Sequence, residues 1–220
     1  MTIKLIGFPY SGHTMRVIIT LRELGLPYEF ETPANFEMFI YTAIRLLTCY
    51  NSGKIPVLFD GDFRIIESRS ICRYLASKYQ GKNNNTILIP NDVHKAGLVD
   101  QFVSYEIFYY EPPAFKIVSQ EVFVEKFWNK KPDPEIIKQG REELIKVLDI
   151  YEKLLEGKEY LNGEFSLADI YHSPYTHYVY GVAKHSELWD SRPNVKNWRN
   201  RLRNREAVKK TLEEIPEEIP

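Results

Sequence analysis

Residues 3–27 read IKLIGFPYSGHTMRVIITLRELGLP, and the change of period inside this stretch decides how the first part of the chain folds. IKLIG alternates apolar and polar residues as a strand does, whereas Val17, Ile18, Leu21 and Leu24 recur at the spacing of one helical face. Leu24-Gly25-Leu26-Pro27 then supplies a glycine stop followed by a proline. The stretch is expected to be a strand, a tight Pro-Tyr-Ser turn and a helix, with Ser11 at the helix start.

The alternation resumes in YEFE (residues 28–31), after which Phe36, Phe39, Ile40, Ala43 and Leu47 give a second, mostly apolar helix. PVLFD (56–60) and FRIIE (63–67) flank Asp60-Gly61, a strong hairpin signal, and Ile71, Leu75 and Tyr79 mark a third helix. The order βαβαββα is that of a thioredoxin-like domain, expected over residues 1–80. Residues 81–91 combine glycine, an asparagine run and proline and read as a linker. Beyond it, residues 92–220 show helical periodicity and no strand pattern. Val99, Phe102, Val103 and Ile107 form one stripe, which Pro112-Pro113 is expected to end, and Leu144, Val147, Leu148, Tyr151, Leu154 and Leu155 form another. In FSLADI, Ser166 and Asp169 have the spacing of a capping box, so Asp169 is assigned to helix capping and not to acid catalysis. The expected fold class is α/β followed by all-α.

A chain of 220 residues with 44% hydrophobic side chains can bury a substantial core. Its formal net charge of −1 provides no overall field to draw it to nucleic acid or an anionic membrane. The most apolar run, FIYTAIRLLTCY (39–50), is broken by Arg45 and too short to span a bilayer, and the first residues do not read as a signal peptide, so a cytoplasmic chain is expected. Cys49 and Cys72 fit neither a disulfide framework nor a zinc site and read as small core residues. The basic residues crowded between Arg192 and Lys210 are spaced around a helix instead of along one stripe, which favours a solvated surface over an anion site.

At the start of the first helix, free backbone N–H groups and the helix dipole favour an anion beside Ser11. No Ser-His-Asp arrangement surrounds this serine, so it is a hydrogen-bond donor to an anion such as a thiolate, or it simply caps its helix; the local pattern leaves both open. Lys54-Ile55-Pro56 precedes a strand, where a proline leaves the neighbouring Ile55 backbone groups available to an extended peptide. Glu67 and Ser68 open the third helix and offer a second helix N-terminus.

Five segments, in order, carry a resemblance: PYSGHTMRV, GKIPVLFDGD, ESRSICRYLASKY, YLNGEFSLADIYHSPY and RPNVKNWRNRL. Together they resemble the cytosolic glutathione transferases over nearly the whole chain, most closely the phi class. The resemblance implies glutathione as co-substrate, no separate cofactor or metal, and a homodimer. It implies that Ser11 stabilises the glutathione thiolate, that Ile55 beside Pro56 pairs with the cysteinyl part, that Glu67 and Ser68 hold the γ-glutamyl end, and that Lys54 assists at the glycyl carboxylate. Phe36, Phe115 and Tyr178 are its candidates for a pocket taking hydrophobic electrophiles. Counting back from Gly53, the histidine and basic residue that hold the glycyl carboxylate in the family fall on Tyr41 and Thr42, which implies a weaker grip there. A weakly active, ligand-binding relative is the alternative that this departure favours. A cysteine-based thiol transferase is disfavoured by serine at position 11.

Overall fold

The computed structural model describes residues 2–33 and 54–215. Strands β1 (Ile3–Ile6), β2 (Tyr28–Glu31), β3 (Val57–Asp60) and β4 (Phe63–Ile66) form one sheet in the order β2-β1-β3-β4, with helices α1 (Gly12–Glu23) and α2 (Ser68–Tyr79) following β1 and β4. β1 and β2 are parallel and joined through α1; the other pairs are antiparallel. The stretch 36–47 read as a second helix, and Cys49, lie outside the described residues.

Helix α1 is buried almost all round, including Thr14, Arg16, Thr20 and Glu23, because it is enclosed between the sheet domain and later helices. It ends as Gly25 suggests. With φ at 63°, Gly25 lets its own N–H reach the Arg22 carbonyl (3.1 Å) and the Leu26 N–H reach the Leu21 carbonyl (2.9 Å), a Schellman pair. The hairpin turns one residue later than Asp60-Gly61. Asp60 pairs with Phe63, leaving Gly61 (φ 61°) and Asp62 as the turn. Asp60 is unavailable for the turn because its buried carboxylate accepts from Tyr74 Oη (2.7 Å), Lys78 Nζ (2.6 Å) and Tyr79 Oη (2.6 Å), tying the hairpin to α2.

The second part begins with α3 (Val93–Tyr105), whose first turn is capped by Asp92, accepting from the His94 and Lys95 amides. Pro112-Pro113 does not end this helix. The chain widens into a π-helical turn (Glu106–Tyr110) and continues as α4 (Glu111–Val118). A proline pair inside a straight helix would orphan carbonyls and clash with the preceding turn; after the widened turn both prolines occupy the first turn of a new helical segment, where that conflict is removed. A second π turn (Ser119–Phe123) leads into α5 (Val124–Trp128), followed by α6 (Pro134–Leu154), α7 (Leu167–His177), a third π turn (Tyr178–Val182), α8 (Glu187–Asp190), α9 (Pro193–Asn204) and α10 (Glu206–Glu213).

Every residue of α7 from Leu167 to Thr176 is buried, making it the axis of the helical part. Its start confirms the structural reading of Asp169, whose carboxylate accepts from the amides of Ser166 (3.0 Å) and Leu161 (3.2 Å) and from Trp198 Nε1 (2.9 Å). Three arginines of the basic run are held by the fold: Arg192 by Asp149, Arg201 by the Glu159 carbonyl and Arg205 by Glu23. Cys72 is fully buried, and burial pushes its thiol up to about 12. Among the described residues no helix is long and apolar enough to cross a membrane.

Gly140 lets α6 approach α4 closely, since a Cβ at this position would lie 2.9 Å from the Pro113 carbonyl oxygen and 3.0 Å from Ile117 and Lys116 side-chain carbons. Gly140→Ala should destabilise the protein by about 1–3 kcal/mol despite alanine's better helix propensity, as an overpacked contact with backbone on one side. Urea unfolding checks this, and an unchanged or raised midpoint would show that the helices can part without loss.

Candidate active site

The strand register brings the predicted site residues to one edge of the sheet. Ile6 pairs with Val57, and Val57 with Ile66, so these three lie side by side. From this row the chain leaves β1 toward Ser11, enters β3 through Ile55 and Pro56, and leaves β4 into Glu67 and Ser68. The Ile55–Pro56 peptide is cis. The ladder starts at Val57, and the Ile55 backbone groups have no hydrogen-bond partner among the described residues.

Ser11 occupies the N-cap position of α1 with extended backbone angles (φ −78°, ψ 121°), yet its hydroxyl makes no capping bond. Its amide donates to the Phe8 carbonyl (3.0 Å), closing a turn over residues 8–11, and its carbonyl accepts the first helical bond from Met15 (2.9 Å). The amides of the first turn and the Ser11 hydroxyl are therefore left to an external acceptor. The α2 terminus is built alike. Glu67 is the N-cap residue, again without a side-chain cap, and holds φ at 67°, a conformation unfavourable for a residue with a side chain. Ser68, the first residue of α2, is buried at its base.

Both helix starts rest on a buried cluster of charges. Arg16, 0% exposed, donates from Nε to the Tyr171 carbonyl (3.0 Å) and from one terminal nitrogen to Glu106 (2.7 Å) and Glu111. Arg69, on α2 beside Ser68, donates to Glu106 (2.8 and 2.6 Å) and to Glu111. Five residues apart, these two glutamates would point to different sides of an α-helix; the π turn stacks them, with the Glu111 amide bonded to the Glu106 carbonyl. Burial pushes Glu106 up to about 7 against its guanidinium neighbours, while Glu111, against a similar pull from burial, is held down at about 2 by Arg16 and Arg69. His13 Nδ1 lies 2.9 Å from an Arg16 terminal nitrogen. Since arginine only donates, Nδ1 accepts and the ring proton sits on Nε2. Burial first, then the charges of Arg16, Arg69 and Lys54, bring His13 down to about 4.

A row of aromatic rings crosses from the sheet domain to the helices beside Ser11. Phe8 stacks on Tyr10 (5.3 Å between centroids), Tyr10 on Phe127 (5.9 Å), Phe127 packs on Phe123 (5.7 Å), and Phe123 meets Tyr178 edge-on (5.5 Å). Tyr178, expected to line the electrophile pocket, is only 1% exposed and stands behind the wall, where its hydroxyl donates to the Tyr10 carbonyl. Phe115 is 44% exposed and packs edge-on against Tyr175, whose ring lies 3.5 Å from where a Cβ on Gly12 would stand, at the start of α1. Phe36 lies outside the described residues, as do Tyr41 and Thr42. The sequence reading missed Phe8, Tyr10 and Phe127. Phe123 and Phe127 share a helical face in VFVEKFW, but only tertiary packing joins that face to the FPY turn. Among the described residues no group of three or more His, Cys, Asp or Glu side chains is placed to hold a metal ion.

A sheet edge with two open helix starts, joined to an all-helical unit, is the architecture on which the comparisons with known proteins bear. Residues 5–83 match the family model of the glutathione S-transferase N-terminal domain and residues 110–206 that of the C-terminal domain, and the chain belongs to the glutathione S-transferase family, in its phi class. A glutathione S-transferase of Hyoscyamus muticus is 34% identical over 97% of this chain and 99% of its own length. Glutathione transferase F7 of Populus trichocarpa superposes with a TM-score of 0.88 at 33% identity, covering 98% of this chain and 100% of that one. Maize glutathione S-transferase I, in complex with an atrazine glutathione conjugate, does so with a TM-score of 0.86 at 30% identity over 96% of both chains.

Proposed function

We propose that this glutathione transferase adds the glutathione thiolate to hydrophobic electrophiles, and that it works in the cytoplasm as a homodimer. The observation that carries the reading is the Ser11 hydroxyl, held at a helix start and spent on no capping bond. That group donates to the thiolate, the uncapped amides of α1 and the helix dipole add to its stabilisation, and Ser11 does not itself attack. Ile55 offers its free backbone groups to the cysteinyl unit, Pro56 fixes the entry to β3, and Glu67 with Ser68 receives the γ-glutamyl end. The electrophile enters over the aromatic row. That a phi-class relative is seen with an atrazine glutathione conjugate supports an aromatic electrophile in this cleft. The same thiolate reduces hydroperoxides if one is bound in place of the electrophile. Exposed rings at Phe63 on β4 and at Phe108 and Tyr109 on the first π turn are the candidate contacts for the partner subunit.

Assay with glutathione and a generic aryl halide, beside a hydroperoxide, tests the reading directly. Turnover with neither substrate, together with calorimetric binding of apolar ligands, would make the protein a ligand binder instead. Glutathione itself should bind weakly, roughly five- to thirtyfold below a phi enzyme carrying the basic pair at positions 41 and 42, the loss of one partly solvated cationic partner. Lys54→Ala should weaken it further. Titration calorimetry of both proteins at low and high salt measures this, and an unchanged affinity in Lys54→Ala would remove Lys54 from the carboxylate site.

A further inference from the structure

At the far end of α1 from Ser11 a polar cleft of about 760 Å³ opens between α1, the linker at Asn84 and Thr86, α9 and α10. Eleven residues of helix separate Ser11 from Arg22 at its edge, roughly 16 Å at ~1.5 Å per residue, so the cleft is distinct from the site above. Of the residues that line it only Ala207 and the Tyr160 ring are apolar. Its charges do not cancel. Arg205 spends both arms of its guanidinium on Glu23 (2.7 Å each), and Arg22 is held by Glu214 and the Thr211 hydroxyl (3.0 Å), so these two cations are matched by carboxylates. Arg201 is matched only by the carbonyls of Glu159 (2.8 Å) and Lys158 (3.3 Å), which orient its guanidinium and leave the charge unneutralised. Lys210, exposed on α10, makes no ion pair among the described residues, and the Asn204 carboxamide has no hydrogen-bond partner among them. Against these two free cations stands one free carboxylate, the exposed Glu206. The spacing of the basic run favoured a solvated surface; the fold gathers part of it into a cleft with an excess of positive charge.

We propose that this cleft is a second binding site, for a phosphate monoester of nucleotide size, with Arg201 and Lys210 on the phosphate and Tyr160 and Asn204 on the organic part. A phosphate monoester carries close to two negative charges at neutral pH, which answers the two free cations, and its oxygens suit the planar fork of Arg201. The carbonyls that hold Arg201 fix the fork before the ligand arrives, so little side-chain freedom is lost on binding. The volume is that of a small-molecule site and exceeds what one oxyanion fills, so an organic body is bound with the phosphate. That body is polar. The lining offers the Asn204 carboxamide and one ring, Tyr160, which already carries the Arg201 guanidinium 6.0 Å from its centroid, and it offers no apolar wall to a hydrophobic electrophile.

Titration calorimetry of the full chain at low salt, with adenosine monophosphate, adenosine and inorganic phosphate as probes, tests the site. The monophosphate should bind, and adenosine and inorganic phosphate should each bind at least about tenfold more weakly, since each lacks one half of the contacts. Arg201→Gln and Lys210→Gln should each weaken the monophosphate about three- to thirtyfold, the loss of one partly solvated charged contact. Glu206→Gln should strengthen it about two- to fivefold by removing the opposing charge. Lys210→Gln gives up no ion pair of the fold, so it reads binding even if Arg201→Gln, which loses two carbonyl partners, unfolds. Saturating glutathione should leave the monophosphate Kd within about twofold, because the two sites lie at opposite ends of α1. No binding of the monophosphate at millimolar concentration, an affinity unmoved in Lys210→Gln and in any Arg201→Gln that folds, equal binding of adenosine or of inorganic phosphate, or displacement by glutathione would each overturn the cleft as a phosphate-ester site. Each of those results leaves the role of Ser11 standing.

Discussion

Replacing Ser11 with alanine should lower turnover toward an aryl halide by roughly ten- to a thousandfold, the range for removing one strong donor to a reacting anion. An unperturbed thiol titrates near ~8.5, so only a few per cent is ionised at neutral pH, and lowering it by about two units takes roughly 2.7 kcal/mol of differential stabilisation. A charged hydrogen bond together with an open helix start is of that size. In the variant the helix start remains and the hydroxyl is gone, so the rise of rate with pH should move upward, toward the free thiol. Folding should hardly change. An N-cap serine usually contributes about 1 kcal/mol, but this one makes no capping bond to lose. Steady-state kinetics between pH 6 and 9, with a thermal unfolding curve of each protein, separates the two effects. Wild-type turnover, or a drop matched by unfolding, would return Ser11 to a merely structural place.

What the sequence made legible was what depends on neighbours along the chain. Strand alternation in IKLIG, the glycine stop at Gly25 and the Ser166–Asp169 spacing are local signals, and the elements they announce are present. The hairpin turn was displaced by one residue because Asp60 answers to Tyr74, Lys78 and Tyr79, fourteen or more positions away. The proline pair misled for a related reason: Pro112-Pro113 does forbid a regular helix, but a π turn satisfies the same prohibition without ending the helical run. That Ser11, Ile55, Glu67 and Ser68 meet at one edge of the sheet was readable because each sits where a strand meets a turn or a helix start. Tyr178, a candidate for the electrophile pocket, is buried, since an aromatic residue on a helix carries no mark of which ring stands in front of it. The charged cluster below the site had the least local signature of all. Arg16 and Glu106 are 90 residues apart, and a lone arginine in an apolar helix announces no partner.

That cluster gives the largest expected effect on stability. Arg16→Met keeps the length and apolar stem of the side chain but leaves Glu106, itself fully buried, with Arg69 as its remaining guanidinium and abandons the Tyr171 carbonyl. Removing one partner from a buried ionic group typically costs about 3–5 kcal/mol, a large part of the ~5–15 kcal/mol by which a domain is stable. Arg16→Lys should recover little, because an ammonium cannot serve two carboxylates, a carbonyl and the His13 ring from one planar fork. The loss should also depend on pH, and its sign follows from Glu106. Already raised to about 7 by burial, this carboxyl rises further without Arg16, so the folded variant holds a proton that the unfolded chain releases well below neutrality. The stability that this proton confers is present at low pH and is withdrawn as the pH climbs through the folded value. Arg16→Met should therefore lose more at pH 8 than at pH 6, and adding Glu106→Gln should return part of the difference by removing the stranded charge. Urea unfolding of the two single variants, the double variant and the parent at both pH values measures all of this. A loss under about 1 kcal/mol at pH 8 would mean that solvent or Arg69 alone satisfies the glutamates. The catalytic consequence goes through position: Arg16 lies one turn below Ser11 and Arg69 follows Ser68, so a cluster that slips unseats both helix starts, and glutathione affinity should fall in any Arg16 variant that still folds.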